Sequence, residues 1–542
     1  MPIMQTQFEE LKRAVEERKL CKREFLGLAS MFGMSAAASY AFLGMPTPAY
    51  ASELTPKSGG ILKLAMIVRE MGDPRTFDWP EMGNTARLFC ENLVRYNADF
   101  TFSGELLENW KISPDARRYT LHCRKDITWN NGDPFTVDDV IYNLKRWCDR
   151  SVEGNSMATR CASLIDPETG QLDEAAIERV DDYTVLLKLR TPDITLIPSM
   201  SDYPSLIVHR DFDTKHNRDL SAFPIGTGAF ELVSYDAGTS VVAKRRESGW
   251  WGGKAYLDGV EINGIGTSND KQVELFAEGL IHLNYQTNGN FVSLLDGLDL
   301  EQSQIDTAAT LVCRMNTRIA PYDDKRVRNA LQKAIDNILV LQLGIAGLGI
   351  VAENHHVCPI HPEYAALPQL ERDIEGAQQL LKEADLVEFE HDLVSIDTGW
   401  QKLTADVIAG KMREAGVKVR RTALSGDEFW KNWANFPFST TEWNMRPLGV
   451  QVLALAYRSG EAWNETGFDN QEFDEKLNQA LGTVDISERR LLMEQIETIL
   501  QDSGVIIQPF WRSLFCHFTS EVKGHSMHPS FEIHYDRIWL DA

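Results

Sequence analysis

The sequence predicts a mixed α/β fold whose domains are interleaved rather than strung end to end. Segments with helical 3.6-residue periodicity and segments with strand alternation recur along the whole chain, without strict β-α alternation. At 542 residues there is room for two to four domains of ~150 residues. No long polar linker, internal repeat or low-complexity segment divides the chain, so its domains must share it or pack closely.

The first element is Met1 to Leu20, a long polar lead. Lys22-Arg23 follow, then the weakly apolar run Phe25 to Leu43, "FLGLASMFGMSAAASYAFL", and the small-residue site Ala49-Tyr50-Ala51. Basic pair, weak apolar core and A-x-A site together read as a removable export signal over residues 1–51, with Ser52 as the new N-terminus. The competing reading is an N-terminal helix packed on the body. The run is rich in Gly, Ala and Ser, and no stretch of ~18 strongly apolar residues occurs, so no permanent membrane span is expected.

"SELTPKSGG" links signal to body, and "GGILKLAMIV" reads as the first strand. "RRYTLHCRKDITW" is a half-buried strand ending in the turn cluster Asn130-Asn131-Gly132-Asp133. Thr136 is placed to cap the next helix, with Asp139 as its capping-box partner. Val140, Leu144 and Trp147 form its apolar stripe, and Lys145 and Arg146 suit its C-terminal end. Later helices begin near Asp323, Asp373 and Ile486, and "YTVLLKLR" and "GVKVRRTAL" read as strands between the helical segments.

Totals exclude some classes of function. A formal charge of −24 argues against nucleic acid, which needs clustered Lys and Arg. The eight cysteines are scattered with no C-x-x-C, which disfavours zinc and iron–sulfur frameworks. Loss of Cys21 with the signal leaves seven, so at least one thiol is free or intermolecular. Gly226-Thr227-Gly228 lacks the third glycine of a dinucleotide loop and reads as a tight strand turn. No nucleophile elbow, H-E-x-x-H or Rossmann fingerprint is present. "NHHVCPIH" gathers His355, His356, Cys358 and His361, but with Pro359 and Pro362 the loop reads as a surface connection whose histidines are incidental, and no metal is expected there. Cys148 and Cys161 flank a short polar loop and are expected to form a disulfide.

Several blocks in collinear order resemble one family, the family 5 extracellular solute-binding proteins of ABC importers, which includes dipeptide, oligopeptide and nickel receptors. These blocks are "SGGILKLAM", "DPRTFDW", the long segment Cys90 to Arg146, "FPIGTGAFELVSYDAG", "RMNTRIAPYDDKRVRNALQKAID" and Asn464 to Trp511. The export segment likewise resembles a twin-arginine signal, Lys22-Arg23-Glu24-Phe25-Leu26, with lysine replacing the first arginine. That route often carries cofactor proteins, but no cofactor motif follows here.

The resemblance implies a periplasmic-binding-protein clamshell of the large type II, cluster C kind, with mixed sheets. It implies two hinge crossings, near Leu283–Gln286 and Ile506–Phe510. Lobe I would be 52–284 plus 507–542, and lobe II 285–506. A monomeric, non-enzymatic periplasmic receptor would close on a small solute and deliver it to a permease and ATPase complex. An exported cofactor enzyme and a sensing receptor are the alternatives. The resemblance places ligand contacts at Trp443, Asn444 and Arg446, at Trp463 and Asn464, at Tyr285, Asn288 and Asn290, and at Phe77 and Asp78. In the peptide-binding branch an aspartate of lobe two receives the free amino group. Here Trp443 to Tyr457 holds no acid and one cation, Arg446. An anionic or acceptor-rich ligand is therefore expected: peptide-like, opine-like, or another acidic polar solute such as a sugar phosphate.

Overall fold

A computed structural model describes residues 2–17, 19–45, 55–215, 218–266, 269–368 and 370–541. It divides into two compact units. Unit 1 comprises Met1–Thr287, Leu294–Gln304 and Cys516–Ala542; unit 2 comprises Asn288–Ser293 and Ile305–Phe515.

In unit 1, strand Ile61–Met66 lies parallel to both Gly259–Gly264 and Leu283–Asn284. The sheet is extended by the antiparallel strands Ser240–Arg245 and Phe230–Asp236. A second, antiparallel sheet joins Leu107–Ile112, Arg118–Cys123, Thr184–Lys188 and Ile177–Arg179. Helix Val137–Trp147 follows it, with the predicted capping box formed: Asp139 accepts from the Thr136 amide at 2.8 Å. Val140, Leu144 and Trp147 are fully buried, as their spacing requires.

In unit 2, strand Glu301–Met315, which enters the unit at Ile305, pairs antiparallel with Phe438–Trp443. Parallel strands His391–Ile396 and Val419–Leu424 continue the sheet. Helices Lys325–Lys333, Ile374–Glu383 and Gly399–Glu414 contribute Val327, Leu331, Ala377, Leu381, Ile408 and Met412 to one buried core with these strands. Helix Ile486–Ser503 ends at Gly504, whose φ of +67° is the left-handed cap that glycine supplies without strain.

The chain passes between units at 287/288, just past the expected Leu283–Gln286, and again at 293/294, 304/305 and 515/516. Strands Glu301–Met315 and Phe510–Phe518 are continuous across 304/305 and 515/516.

At the N-terminus, Pro2–Glu16, Lys22–Met31 and Ala36–Phe42 are helical. Phe25, Leu28, Ala29 and Met31 are buried, so this stretch has the packed form that the sequence also allowed. The expected cleavage site, Ala49 to Ser52, lies outside the described residues. No described helix is long and apolar enough to cross a membrane.

Candidate functional site: an aromatic wall on unit 2

Strand Phe438–Trp443 runs into the loop Asn444–Leu448 and then helix Gly449–Ala456. The strand delivers Trp443, which is almost wholly buried and donates its indole N–H to Glu465 Oε1 at 2.8 Å. Three rings meet its edges: Trp433 at 6.3 Å, Trp463 at 5.9 Å and His356 at 5.6 Å. Trp430 extends the row beyond Trp433 at 6.3 Å. Trp430, Trp433 and Trp463 are only half-buried, so they form the outer face of the wall over Trp443.

The wall rests on a buried ion pair. Arg314 Nε lies 2.9 Å from Glu465 Oε2, and both residues are at most 2% exposed. Glu465 also accepts from the Thr441 hydroxyl at 2.7 Å. The Arg314 guanidinium donates to the carbonyls of Glu465, Phe436 and Trp433, tying the loops that carry Trp433 and Trp463 to the strand that carries Trp443. Burial raises the Glu465 carboxyl pKa, and Arg314 opposes that rise.

Arg446 is 4% exposed, and its Nη1 donates to the carbonyls of Asn444 and Met445 at 3.3 and 3.1 Å. Its own carbonyl is 3.0 Å from His361 Nε2. His361 Nδ1 accepts the Cys358 amide, so Nε2 carries the proton and donates. Glu442 is engaged by Arg512 and Gln401, and Glu465 by Arg314, Thr441 and Trp443, while the buried Glu363 accepts the Val450 amide at 3.0 Å.

The other expected contacts divide. Asn444 and Trp463 are half-buried on this wall. Asn464 is not available to a ligand. Its amide donates to the carbonyls of Tyr457, Arg458 and Phe468 and its oxygen accepts from Thr466 and Phe468, so it holds its own loop together. Phe77 is fully buried and serves packing. Asp78 is exposed on unit 1; its surroundings raise its carboxyl pKa, with Arg69 opposing. Tyr285, also in unit 1, is half-buried with its ring 5.6 Å from Phe531. Asn288 is half-buried in unit 2, and the side chain of Asn290 lies outside the described part.

Three further expectations are corrected or explained. The histidines of "NHHVCPIH" are buried, not on the surface. Each finds its own partner: His355 with Glu353, His356 with the Tyr457 hydroxyl, His361 with Arg446 O. Burial and neighbouring cations push His356 down to about 3. Cys148 and Cys161, the pair expected to form a disulfide, stand side by side as thiols. Both thiols are free and fully buried beside each other, and the Cys148 thiol raises the Cys161 pKa through a hydrogen bond. Gly226 and Gly228 pack on the Phe89 backbone, where a Cβ on Gly226 would fall 1.7 Å from the Phe89 carbonyl oxygen. Close approach explains both glycines.

Elsewhere, His528, Glu532 and His534 place ligand-type atoms within 4.8 Å of one another. Those atoms are already engaged. His528 binds Tyr96 O and the Ser530 amide, His534 binds Glu532, and Arg87 sits 3.2 Å from Glu532. The cations Arg87, Arg95 and Arg537 nearby also oppose a metal ion.

Two compact units built on mixed α/β sheets are the architecture of periplasmic binding proteins. The comparisons agree. The family described as "Bacterial extracellular solute-binding proteins, family 5 Middle" matches residues 101–464. The chain belongs to this family of solute-binding proteins.

The dipeptide-binding protein DppE of Bacillus subtilis is 23% identical over 94% of this chain and 98% of its own length. The heme-binding protein A of Haemophilus influenzae is 24% identical over 78% of this chain and 81% of its own. Among solved structures, AgaA from A. tumefaciens R10 in complex with agropinic acid superposes with a TM-score of 0.79 at 20% identity. It covers 89% of this chain and 99% of that one. Haemophilus influenzae OppA in complex with the peptide RPPGFSPFR gives 0.79 at 18%, over 90% and 100%.

Proposed function

We propose that this chain is the periplasmic receptor of an ABC importer and that its solute carries an anionic group held by Arg446. One observation carries the reading of ligand charge. Along the wall, the stretch Trp443 to Tyr457 holds no acid and one cation, Arg446. An ammonium group brought here would meet that cation, a costly arrangement in a desolvated site. A carboxylate or phosphate would meet a guanidinium fork suited to it. Trp463 and Trp433 supply a stacking face for the apolar part of the solute. Relatives bind dipeptides, heme and agropinic acid, so the family tolerates ligands of many shapes. The receptor acts as a monomer and carries no resident cofactor, handing its solute to a permease and ATPase complex.

Mass spectrometry of ligand released from freshly purified, denatured protein identifies the solute. Calorimetric titration of Arg446→Gln with that solute should then show affinity lower by ~2–5 kcal/mol. A released ligand without acidic or acceptor-rich groups, or unchanged affinity, overturns the reading.

A further inference from the structure

The segment Cys21–Leu43 is held on unit 1 by contacts that a loosely attached leader would lack. Cys21 caps helix Lys22–Met31 in a capping box, accepting from the Glu24 amide while Glu24 accepts from the Cys21 amide. Lys22 and Arg23 thus occupy the first turn of the helix and stay exposed, while Phe25 and Leu26 beyond them are 0% and 5% exposed. The body provides matching partners. Trp110 donates its indole N–H to Met31 O at 2.8 Å, and the Phe102 amide donates to Ser30 Oγ at 2.9 Å. The Arg23 guanidinium lies 5.1 Å from the Phe100 ring centre, and Tyr40 donates to Asp99 at 3.2 Å.

Two glycines make the fit specific. A Cβ on Gly27 would lie 3.0 Å from Phe100 O. Gly33 has φ +95°, and a Cβ there would lie 2.6 Å from Trp110 O. Backbone-to-backbone approach of this kind is shape complementarity, not generic apolar adhesion.

We propose that the face of unit 1 formed by Val94–Tyr96, Phe102–Gly104 and Leu107–Ile112 is a docking surface for the chain's own residues 21–43, so that the full-length chain keeps its export segment folded and half-hidden until it is withdrawn. This rests on the reading of residues 1–51 as an export signal. A machinery that reads the basic pair together with Phe25-Leu26 as an open peptide finds the pair exposed and the apolar half buried. Docking therefore delays export of a folded precursor, and release of residues 21–43 precedes it.

Hydrogen exchange on the full-length chain tests the docking without any export assay. An isolated helix as short as Lys22–Met31 is marginal in water, so its amides alone would exchange at close to the unstructured rate. Docked amides of residues 25–31 should exchange at least about 100-fold more slowly. Gly27→Leu should return them to within about threefold of the unstructured rate. Trp110→Phe, which keeps the body packed and the leader sequence intact, should reduce protection in 28–31. Unprotected amides in the wild type, or protection untouched by either variant, overturn the docking. In pulse-chase experiments Trp110→Phe should shorten the precursor lifetime, and a lifetime equal to wild type overturns the delay. Unimpaired export of a Lys22→Gln, Arg23→Gln variant would instead remove the twin-arginine part of the signal reading, and an intact N-terminus on exported protein would remove the signal reading itself, each leaving the exchange result standing.

Discussion

Glu91 gives the sharpest test of the electrostatics inside unit 1. It is 5% exposed and accepts hydrogen bonds from the indoles of Trp250 and Trp251, at 2.9 Å each. Loss of water and the neighbouring Glu105 carboxylate push its pKa up to about 7. A carboxyl whose folded pKa exceeds its unfolded value adds stability below the unfolded pKa, and that stability is lost as pH rises through the folded one. Between 4.5 and about 7, this one residue costs the folded state up to about 3 kcal/mol, at 1.36 kcal/mol per pH unit. Glutamine cannot ionise, so Glu91→Gln removes the loss.

Buried histidines work in the opposite sense: His391 is held down to about 4 and His528 to about 3, which favours higher pH. They are common to both proteins and cancel in the difference. Urea titrations followed by tryptophan fluorescence at pH 5, 6, 7 and 8 give the wild type minus variant stability at each pH. Relative to wild type, Glu91→Gln should gain about 2–3 kcal/mol between pH 5 and 8, whatever constant offset the new amide introduces. A difference flat within about 0.5 kcal/mol across that range refutes the account.

Other outcomes follow from single contacts. Gly226→Ala drives a methyl into the Phe89 carbonyl and should cost about 3 kcal/mol or more, or abolish soluble protein; near-neutral stability in a denaturant titration would refute it. Arg314→Met strands the Glu465 carboxylate beneath the tryptophan wall, so stability should fall by about 3–5 kcal/mol at pH 8. The fall should shrink as pH drops, because burial without Arg314 raises the Glu465 carboxyl and favours its neutral form; a pH-independent penalty would contradict this. Cys148 and Cys161, adjacent here as thiols, should join under oxidising conditions, with about 3 kcal/mol gained from closing the short loop. Peptide mapping of exported protein that finds both thiols free excludes the bond.

Helix Val137–Trp147 was readable in the sequence because every determinant is local: the Thr136–Asp139 capping box, the apolar stripe, the cations at the end. The second crossing, at 515/516, was not. Whether a strand such as Phe510–Phe518 continues through a crossing depends on partners hundreds of residues away, and no periodicity within it marks the point. The histidine loop misled for a related reason. Prolines and polar residues read as surface, yet two of the three imidazoles are absorbed by distant partners, His356 by Tyr457 and His361 by the Arg446 carbonyl.

At the wall, the family resemblance located Trp443, Arg446 and Trp463 but not what supports them. Arg314 and Glu465 stand 151 positions apart, and their pairing has no local signature. A weak one exists: an arginine in the otherwise apolar strand segment Ala308–Met315 must find an anion once the strand is buried. The acids beside Arg446 likewise pair in ways that have no local signature. Two acids flank it in the sequence and either would neutralise it on proximity alone. Each is instead consumed by a different buried arginine, Glu442 by Arg512 and Glu465 by Arg314. The sequence shows a cation with acids nearby; the fold shows where Glu442 and Glu465 are spent.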